Sequence, residues 1–290
     1  MKICYYPGCT LKTKAKNLED AGKAALEFLD IELDELERWN CCGVVFSLAD
    51  DDLLHLLAPI RDLIRVKDAG YEKVLTLCSM CYNTLARANL VMRDDEEKRN
   101  TINTFMEEET DYSGDVEVMH LLNFLRDEIG WEKVKECVKV PLKGLKVAPN
   151  YGCTLTRPRD VGIDSPDKPT VLHDFLIALG AEPVDFGAST DCCGSYQMLS
   201  HPEAAEDAVA HIISSASENG AEAIVSSCPL CEYNIGKRQT ALRDKRPELQ
   251  ELPSFYLTQL MAVAFGTDPE LCRFDLNHPQ SLPLLQAKVL

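Results

Sequence analysis

Thirteen cysteines in 290 residues are where this sequence has the most chemistry to offer, and ten of them recur in one order. Cys9, the doublet Cys41-Cys42 and the pair Cys78 and Cys81 make a first set; Cys153, the doublet Cys192-Cys193, and Cys228 with Cys231 make a second. The stretches between groups are 31 and 35 residues in the first set, and 38 and 34 in the second. Thiolates are soft ligands, and a set made of thiolates alone suits zinc or iron–sulfur chemistry rather than magnesium or calcium. A CxxC pair turns two sulfurs toward one centre, and a helix starting there adds N–H groups and the positive end of its dipole. Adjacent cysteines point in different directions. Both on one small ion strain the backbone, whereas two neighbouring irons accept one each. Five thiols exceed the four of a structural zinc and the four of an ordinary [4Fe–4S] cluster. Each set therefore reads as a cluster plus a spare thiol, or as an unusual cluster with more thiolate ligation. Two zinc sites, each with an idle cysteine, compete with this reading. So do metal-free dithiols, which leave the doublets without a purpose.

The elements that must position these cysteines are themselves written twice. Gly8-Cys9-Thr10-Leu11 matches Gly152-Cys153-Thr154-Leu155, and Cys41-Cys42-Gly43 matches Cys192-Cys193-Gly194. Cys78-Ser79-Met80-Cys81-Tyr82-Asn83 matches Cys228-Pro229-Leu230-Cys231-Glu232-Tyr233-Asn234, with one extra residue. Such a duplication predicts two domains, 1–140 and 141–290, with Pro141 and Gly144 punctuating the join. Short apolar runs at 2–6, 74–77, 145–148 and 223–225 read as strands. Leu18, Ala21, Ala25, Phe28 and Leu29 have helical spacing, as do 171–179 and 204–217, the last with Pro202 suited to a first turn. Leu53, Leu54, Leu57, Ile60 and Ile64 predict a further helix face that Pro59 kinks. Strand–helix alternation in each half predicts an α/β fold of two Rossmann-like domains with parallel sheets, related by a pseudo-two-fold axis. In such folds ligands gather beyond the carboxyl ends of the strands, where every cysteine group falls.

Composition narrows the function. A hydrophobic fraction of 46% with 27% charged residues is that of a folded globular chain and excludes wholesale disorder. Thirty Lys and Arg against 47 Asp and Glu give a net charge of -17, which argues against nucleic acid or an anionic membrane as the main partner. No apolar run reaches the ~18–20 residues of a membrane span. The opening MKICYYPGC has no secretory apolar core, so the expected location is cytoplasmic. There thiols stay reduced, and an odd cysteine count speaks against a disulfide framework.

With both cysteine sets in view, the chain resembles the CCG-domain family, and over its whole length it is similar to the B-type subunit of heterodisulfide reductases from methanogens. It departs in one place: the last interval of the second set, 34 residues, is one short of the family spacing. The resemblance implies an unusual non-cubane [4Fe–4S] cluster in each half, held by Cys9, Cys41, Cys42, Cys78 and Cys81 and by Cys153, Cys192, Cys193, Cys228 and Cys231. It further implies reduction of the coenzyme M–coenzyme B disulfide to two thiols, with the disulfide expected to lie between the two sites. The sequence carries neither a ferredoxin-type C-x2-C-x2-C-x3-C-P run nor a G-x-G-x-x-G dinucleotide loop. Electrons are therefore expected from other polypeptides. The resemblance implies a small iron–sulfur subunit with cubane clusters and a flavin-containing subunit, with or without a hydrogenase. The alternative is a CCG-domain electron-transfer subunit of a succinate, glycolate or glycerol-3-phosphate oxidoreductase.

Basic residues follow the first cysteine of each set: Lys12, Lys14 and Lys16, then Arg157 and Arg159. In so acidic a chain they suggest contacts to the sulfonate and phosphate of such a substrate, foremost Lys12, Arg157 and Arg159. The competing reading is a solvated face. Cys4 aligns with Ala148 in the other copy, so Cys4, like the unmatched Cys137 and Cys272, reads as a small buried hydrophobe. His120, His173 and Tyr6 are available proton donors, with a structural role the ordinary alternative.

Overall fold

The computed structural model describes residues 1–44 and 53–290. Each short apolar run becomes a parallel strand. In the first half β1 (Lys2–Tyr5), β2 (Glu32–Glu35), β3 (Lys73–Thr76) and β4 (Glu117–His120) form a sheet of order β2-β1-β3-β4. In the second, β5 (Lys146–Pro149), β6 (Glu182–Pro183), β7 (Ala223–Ser226) and β8 (Ser254–Tyr256) repeat it as β6-β5-β7-β8. The registers repeat as well: Cys4 pairs with Val74 where Ala148 pairs with Ile224. This is the Cys4–Ala148 equivalence of the sequence repeat, and Cys4 is buried in the core. The edge strands β2 and β6 lack an apolar pattern. The charged run Glu32-Leu33-Asp34-Glu35 blunts one edge against pairing with another chain.

Helices close both sheets, as the alternation predicts. They are α1 (Lys16–Glu27), α2 (Leu57–Asp68), α3 (Ser79–Asp94), α4 (Glu96–Phe105), α5 (Leu121–Phe124) and α6 (Trp131–Glu136) in the first half. The second half has α7 (Val171–Ala178), α8 (Pro202–Glu218), α9 (Pro229–Cys231), α10 (Gln239–Lys245), α11 (Leu257–Phe265) and α12 (Ser281–Lys288). Pro59 lies in the first turn of α2, where no intrahelical donor is needed, so the helix keeps its hydrogen-bond ladder there. Ile60 and Ile64 are buried with Leu63, while Leu53 and Leu54 belong to a preceding 3-10 turn and Leu54 faces outward.

The halves exchange helices. α11, which ends the second half's β-α series, lies along α1 of the first. Gly22 leaves space there for the Thr258 and Leu77 side chains, and Thr258 Oγ1 donates to Leu18 O at 2.9 Å. In the reverse sense α5 and α6 pack on α7, with the Trp131 and Phe175 rings 6.3 Å apart. Asn17 Nδ2 donates to Asn277 Oδ1 at 2.8 Å in the buried seam.

His120 ends β4 and caps α5: its Nδ1 accepts from Leu122 N at 3.1 Å, and its own N–H donates to Asn123 Oδ1 at 2.8 Å. Its ring is fully buried, which pushes its pKa down to about 3. The unfolded chain, near 6.5, therefore binds a proton that the folded chain refuses between those values. The stability held above pH 6.5 is lost as pH falls. Between pH 7 and 5 this group should cost about 2 kcal/mol. His120→Asn, which keeps a capping acceptor, should lack that component. Urea midpoints of both proteins at the two pH values check this, and equal pH slopes would sink it.

Candidate functional site

β1 lies between β2 and β3, so the loops leaving the carboxyl ends of these three neighbours meet above one sheet edge. Cys9 follows β1, Cys41 and Cys42 follow β2, and Cys78 follows β3. The second half places Cys153, Cys192-Cys193 and Cys228 after β5, β6 and β7 in the same way. Cys78 and Cys228 are the cap residues of α3 and α9, and Cys81 and Cys231 fall within the first turns of those helices.

All ten sulfurs are free thiols, and in each half they approach in pairs. Cys9 Sγ lies 3.3 Å from Cys41 Sγ, and Cys42 Sγ 3.7 Å from Cys81 Sγ. In the second half Cys193 Sγ is 3.5 Å from Cys231 Sγ and 3.1 Å from Ser195 Oγ, while Cys153 shares a hydrogen bond with Cys192. Cys42, Cys78, Cys81, Cys193, Cys228 and Cys231 are buried; Cys9, Cys41 and Cys192 are exposed, and Cys153 is half-buried. Each site is thus closed at its CxxC floor and open at a rim. Among the described residues no three His, Cys, Asp or Glu side chains are arranged to hold a single metal ion.

Crowding makes the thiols share protons unequally. The hydrogen bond from Cys153 lowers the Cys192 thiol to about 6 and raises Cys153 itself. Cys193 is lowered by its hydrogen bond with Cys231, which is raised in turn. Cys42 is lowered by hydrogen bonds from Cys41 and Cys81, and Cys81 is raised. The inner doublet member, Cys42 or Cys193, is lowered and the last cysteine, Cys81 or Cys231, is raised in both copies. The outer doublet member differs: Cys192 is lowered, and Cys41 is raised by its hydrogen bond with Cys42. An all-thiol donor set, unbridged and with lowered members in each half, fits a thiophilic metal group. Gly8 adds a backbone reason: at φ +74° it passes so close that a Cβ would stand 2.7 Å from Cys81 Sγ.

The basic residues separate. Lys12 Nζ is engaged by Glu19 at 2.7 Å and Glu35 at 2.6 Å, so its charge is already matched. Arg159 pairs with Asp167 at 2.7 Å on the surface. Arg157 donates to Thr190 O at 2.8 Å, two residues before Cys192, and no carboxylate pairs with it among the described residues. The candidate proton donors have structural partners. Tyr6 Oη donates to Asn40 O at 2.6 Å, and His173 lies between Tyr151 Oη (2.8 Å) and Asp185 (2.6 Å).

Sequence reasoning missed the contacts that join the sites. Ser79, inside the first CxxC, donates its N–H to Ser227 O beside the second at 3.4 Å, and Tyr196 Oη reaches Met80 Sδ at 3.5 Å. The two CxxC turns therefore face each other across the pseudo-two-fold axis. Asn234 Nδ2 donates to Cys193 O at 3.0 Å and Ser195 Oγ at 3.1 Å, tying the doublet to the helix after Cys231. The signal was the recurrence of Asn83 and Asn234, offset by one residue. A π-helical turn, Glu232–Lys237, takes up that extra residue.

Fold and thiol sites define a class: the chain belongs to the CCG cysteine-rich domain family, which matches residues 3–86 and 147–236. Within it, the chain is 32% identical over 279 residues to the 8-methylmenaquinol:fumarate reductase membrane anchor subunit of Wolinella succinogenes, covering 96% of each protein. It is 29% identical over 291 residues to the B-type subunit of the ferredoxin/F(420)H(2)-dependent CoB-CoM heterodisulfide reductase of Methanosarcina acetivorans, covering 98% of this chain and 96% of that one. The resemblance to the heterodisulfide reductases thus extends along nearly the whole sequence. A hypothetical protein from Helicobacter pylori has the same fold, with a TM-score of 0.76 at 15% identity; the match covers 96% of this chain and 51% of that one.

Alanine at position 8 must adopt left-handed backbone, at about 1–2 kcal/mol, and must also displace Cys81. Gly152, at φ +61°, has the Cys231 sulfur at 3.5 Å from a built Cβ, an ordinary contact. Gly8→Ala should therefore destabilise more than Gly152→Ala in urea unfolding under reductant. Equal losses would remove the steric part of the argument.

Proposed function

We propose that this chain is the disulfide-reducing subunit of an iron–sulfur oxidoreductase of the heterodisulfide reductase type, built from two duplicated units, residues 1–140 and 141–290. One observation carries the reading: five unbridged thiols converge twice, in pairs, on either side of a shared junction. Pairs of sulfurs suit the separate metal atoms of a cluster better than one zinc ion. Cys9, Cys41, Cys42, Cys78 and Cys81 would hold one [4Fe–4S] group, and Cys153, Cys192, Cys193, Cys228 and Cys231 the other, both of the non-cubane kind implied by the resemblance. Such groups supply electrons singly, and two of them match the two electrons that a disulfide takes up, with two protons, to give two thiols.

The protein's own part is to shield the sulfur floors from water and orient an anionic substrate at the open rims. Of the three basic candidates, Arg157 has the free charge and the position for this; Lys12 and Arg159 are committed to carboxylates. Electrons come from partner polypeptides, taken to be a cubane-cluster iron–sulfur subunit and a flavin-containing subunit in a cytoplasmic complex. Among the described residues no helix is long and apolar enough to cross a membrane. The second reading, an electron-transfer subunit of a quinone-linked reductase, is favoured by the identity to the Wolinella succinogenes protein.

Anaerobic iron and acid-labile sulfide analysis, followed by EPR with each thiol product under oxidising conditions, tests the two readings. About eight irons per chain, with a new paramagnetic signal on adding coenzyme M or coenzyme B, is the expected result. Zinc without sulfide would overturn the redox function, and iron without any thiol response would favour the electron-transfer subunit. In the disulfide assay Arg157→Ala should raise KM about tenfold, as loss of a charge-assisted contact does, with kcat nearly retained. An unchanged KM would remove Arg157 from the substrate site.

A further inference from the structure

The two sites are not anchored alike. Cys9 lies seven residues before α1, and its loop is held within its own half. Thr13 Oγ1 donates to Cys9 O at 2.9 Å, and Lys12 ties the loop to Glu19 and Glu35. Cys153 lies eighteen residues before α7, on a longer loop. First-half side chains grip that loop. The amide of Asn83, fully buried, donates to Thr154 O at 2.9 Å and to Arg157 O at 2.8 Å, so both of its hydrogens are used. Tyr82 Oη donates to Val161 O at 2.8 Å, and Arg126 donates to Ile163 O at 2.8 Å. Tyr82 and Asn83 directly follow Cys81 in α3.

We infer that Asn83 is a positioning residue of the opposite site: although it follows the last cysteine of the first set, it fixes the turn that presents Cys153 and Arg157. The turn from Cys153 to Arg157 is closed by one backbone hydrogen bond, Arg157 N to Cys153 O at 3.1 Å. Its Thr154 and Arg157 carbonyls have Asn83 as their buried donor. Asn234, its counterpart in the repeat, serves its own half's doublet instead. The duplicated asparagine has thus taken two roles, and the arrangement of the second site depends on the first half. Ligation at Cys81, which sits two residues before Asn83 on the same helix, bears on Cys153 through a single rigid element.

The test is the full-length Asn83→Asp variant, which keeps the size of the side chain but turns both donors into acceptors facing two carbonyl oxygens. Asn89→Asp is the control. Asn89 is a buried amide on the same helix that donates to Val116 O at 2.8 Å, away from the loop. Alkylation of each cysteine is followed peptide by peptide in the iron-free chain. Loss of two buried hydrogen bonds predicts that Cys153 reacts about 10-fold faster, with Cys9 nearly unchanged. The Cys153-to-Cys9 ratio should stay at the parent value in Asn89→Asp. An unchanged ratio in Asn83→Asp, or an equal rise in the control, would overturn the inference. In iron-loaded protein, chelator should strip about half of the iron rapidly from Asn83→Asp alone, and uniform loss would count against it. This second readout rests on the iron–sulfur reading. A parent chain that loads no iron would defeat that reading, while the thiol ratio still decides the role of Asn83.

Discussion

Everything at the two sites depends on the parallel pairing of one central strand with a neighbour on each side. β1 and β5 each sit between the strands that follow them in sequence, so three chain segments leave the sheet in the same direction within about 10 Å of one another. An antiparallel neighbour would send one loop to the opposite edge and its cysteines with it. The pairing is built from few residues, four at most in any strand. Their burial, and the helices that cover them, supply the stability that such short ladders lack.

The thiols bring a conflicting demand. Sulfurs at 3.3 to 3.7 Å are close enough to oxidise to disulfides and close enough to repel once ionised. Short backbone constraints resolve this. The doublets prevent adjacent thiols from converging on one point, and left-handed glycines beside the cysteines let the chain reverse without adding side-chain bulk. At the start of the helix after Cys78 the Met80 and Cys81 N–H groups point at the Cys78 sulfur, which stabilises negative charge at the floor of that site. Proton sharing among the thiols and dipole support from that helix therefore act in the same direction.

Much of this was legible in the sequence for a physical reason. A duplicated ligand set must be presented by a duplicated scaffold, so the cysteine repeat announced both sheets and the strand ends that carry them. The edge strands escaped notice because an exposed strand of Glu-Leu-Asp-Glu carries no apolar signal and is defined only by its backbone partners. The roles of Lys12 and Arg157 could not be told apart, since both are basic and both follow a first cysteine. What separates them is Glu19 and Glu35, brought beside Lys12 by α1 and β2. Asn83 was visible as part of a repeat, yet its partners lie on the other half of the chain, and no local pattern encodes a contact of that range.

The exchange of terminal helices has an evolutionary consequence. α11 covers α1 while α5 and α6 cover α7, so each copy buries the other's first helix through the same kind of surface. That is an isologous contact, the signature of a two-fold homodimer. A single-copy ancestor with this fold would have had to pair with itself to hide that helix, bringing two identical thiol sites together at the axis. Joining the copies end to end made the pairing permanent and released each from the need to match its twin. One copy was then free to lengthen its first loop while the other kept a short one. A symmetric dimer could not have held such an asymmetry.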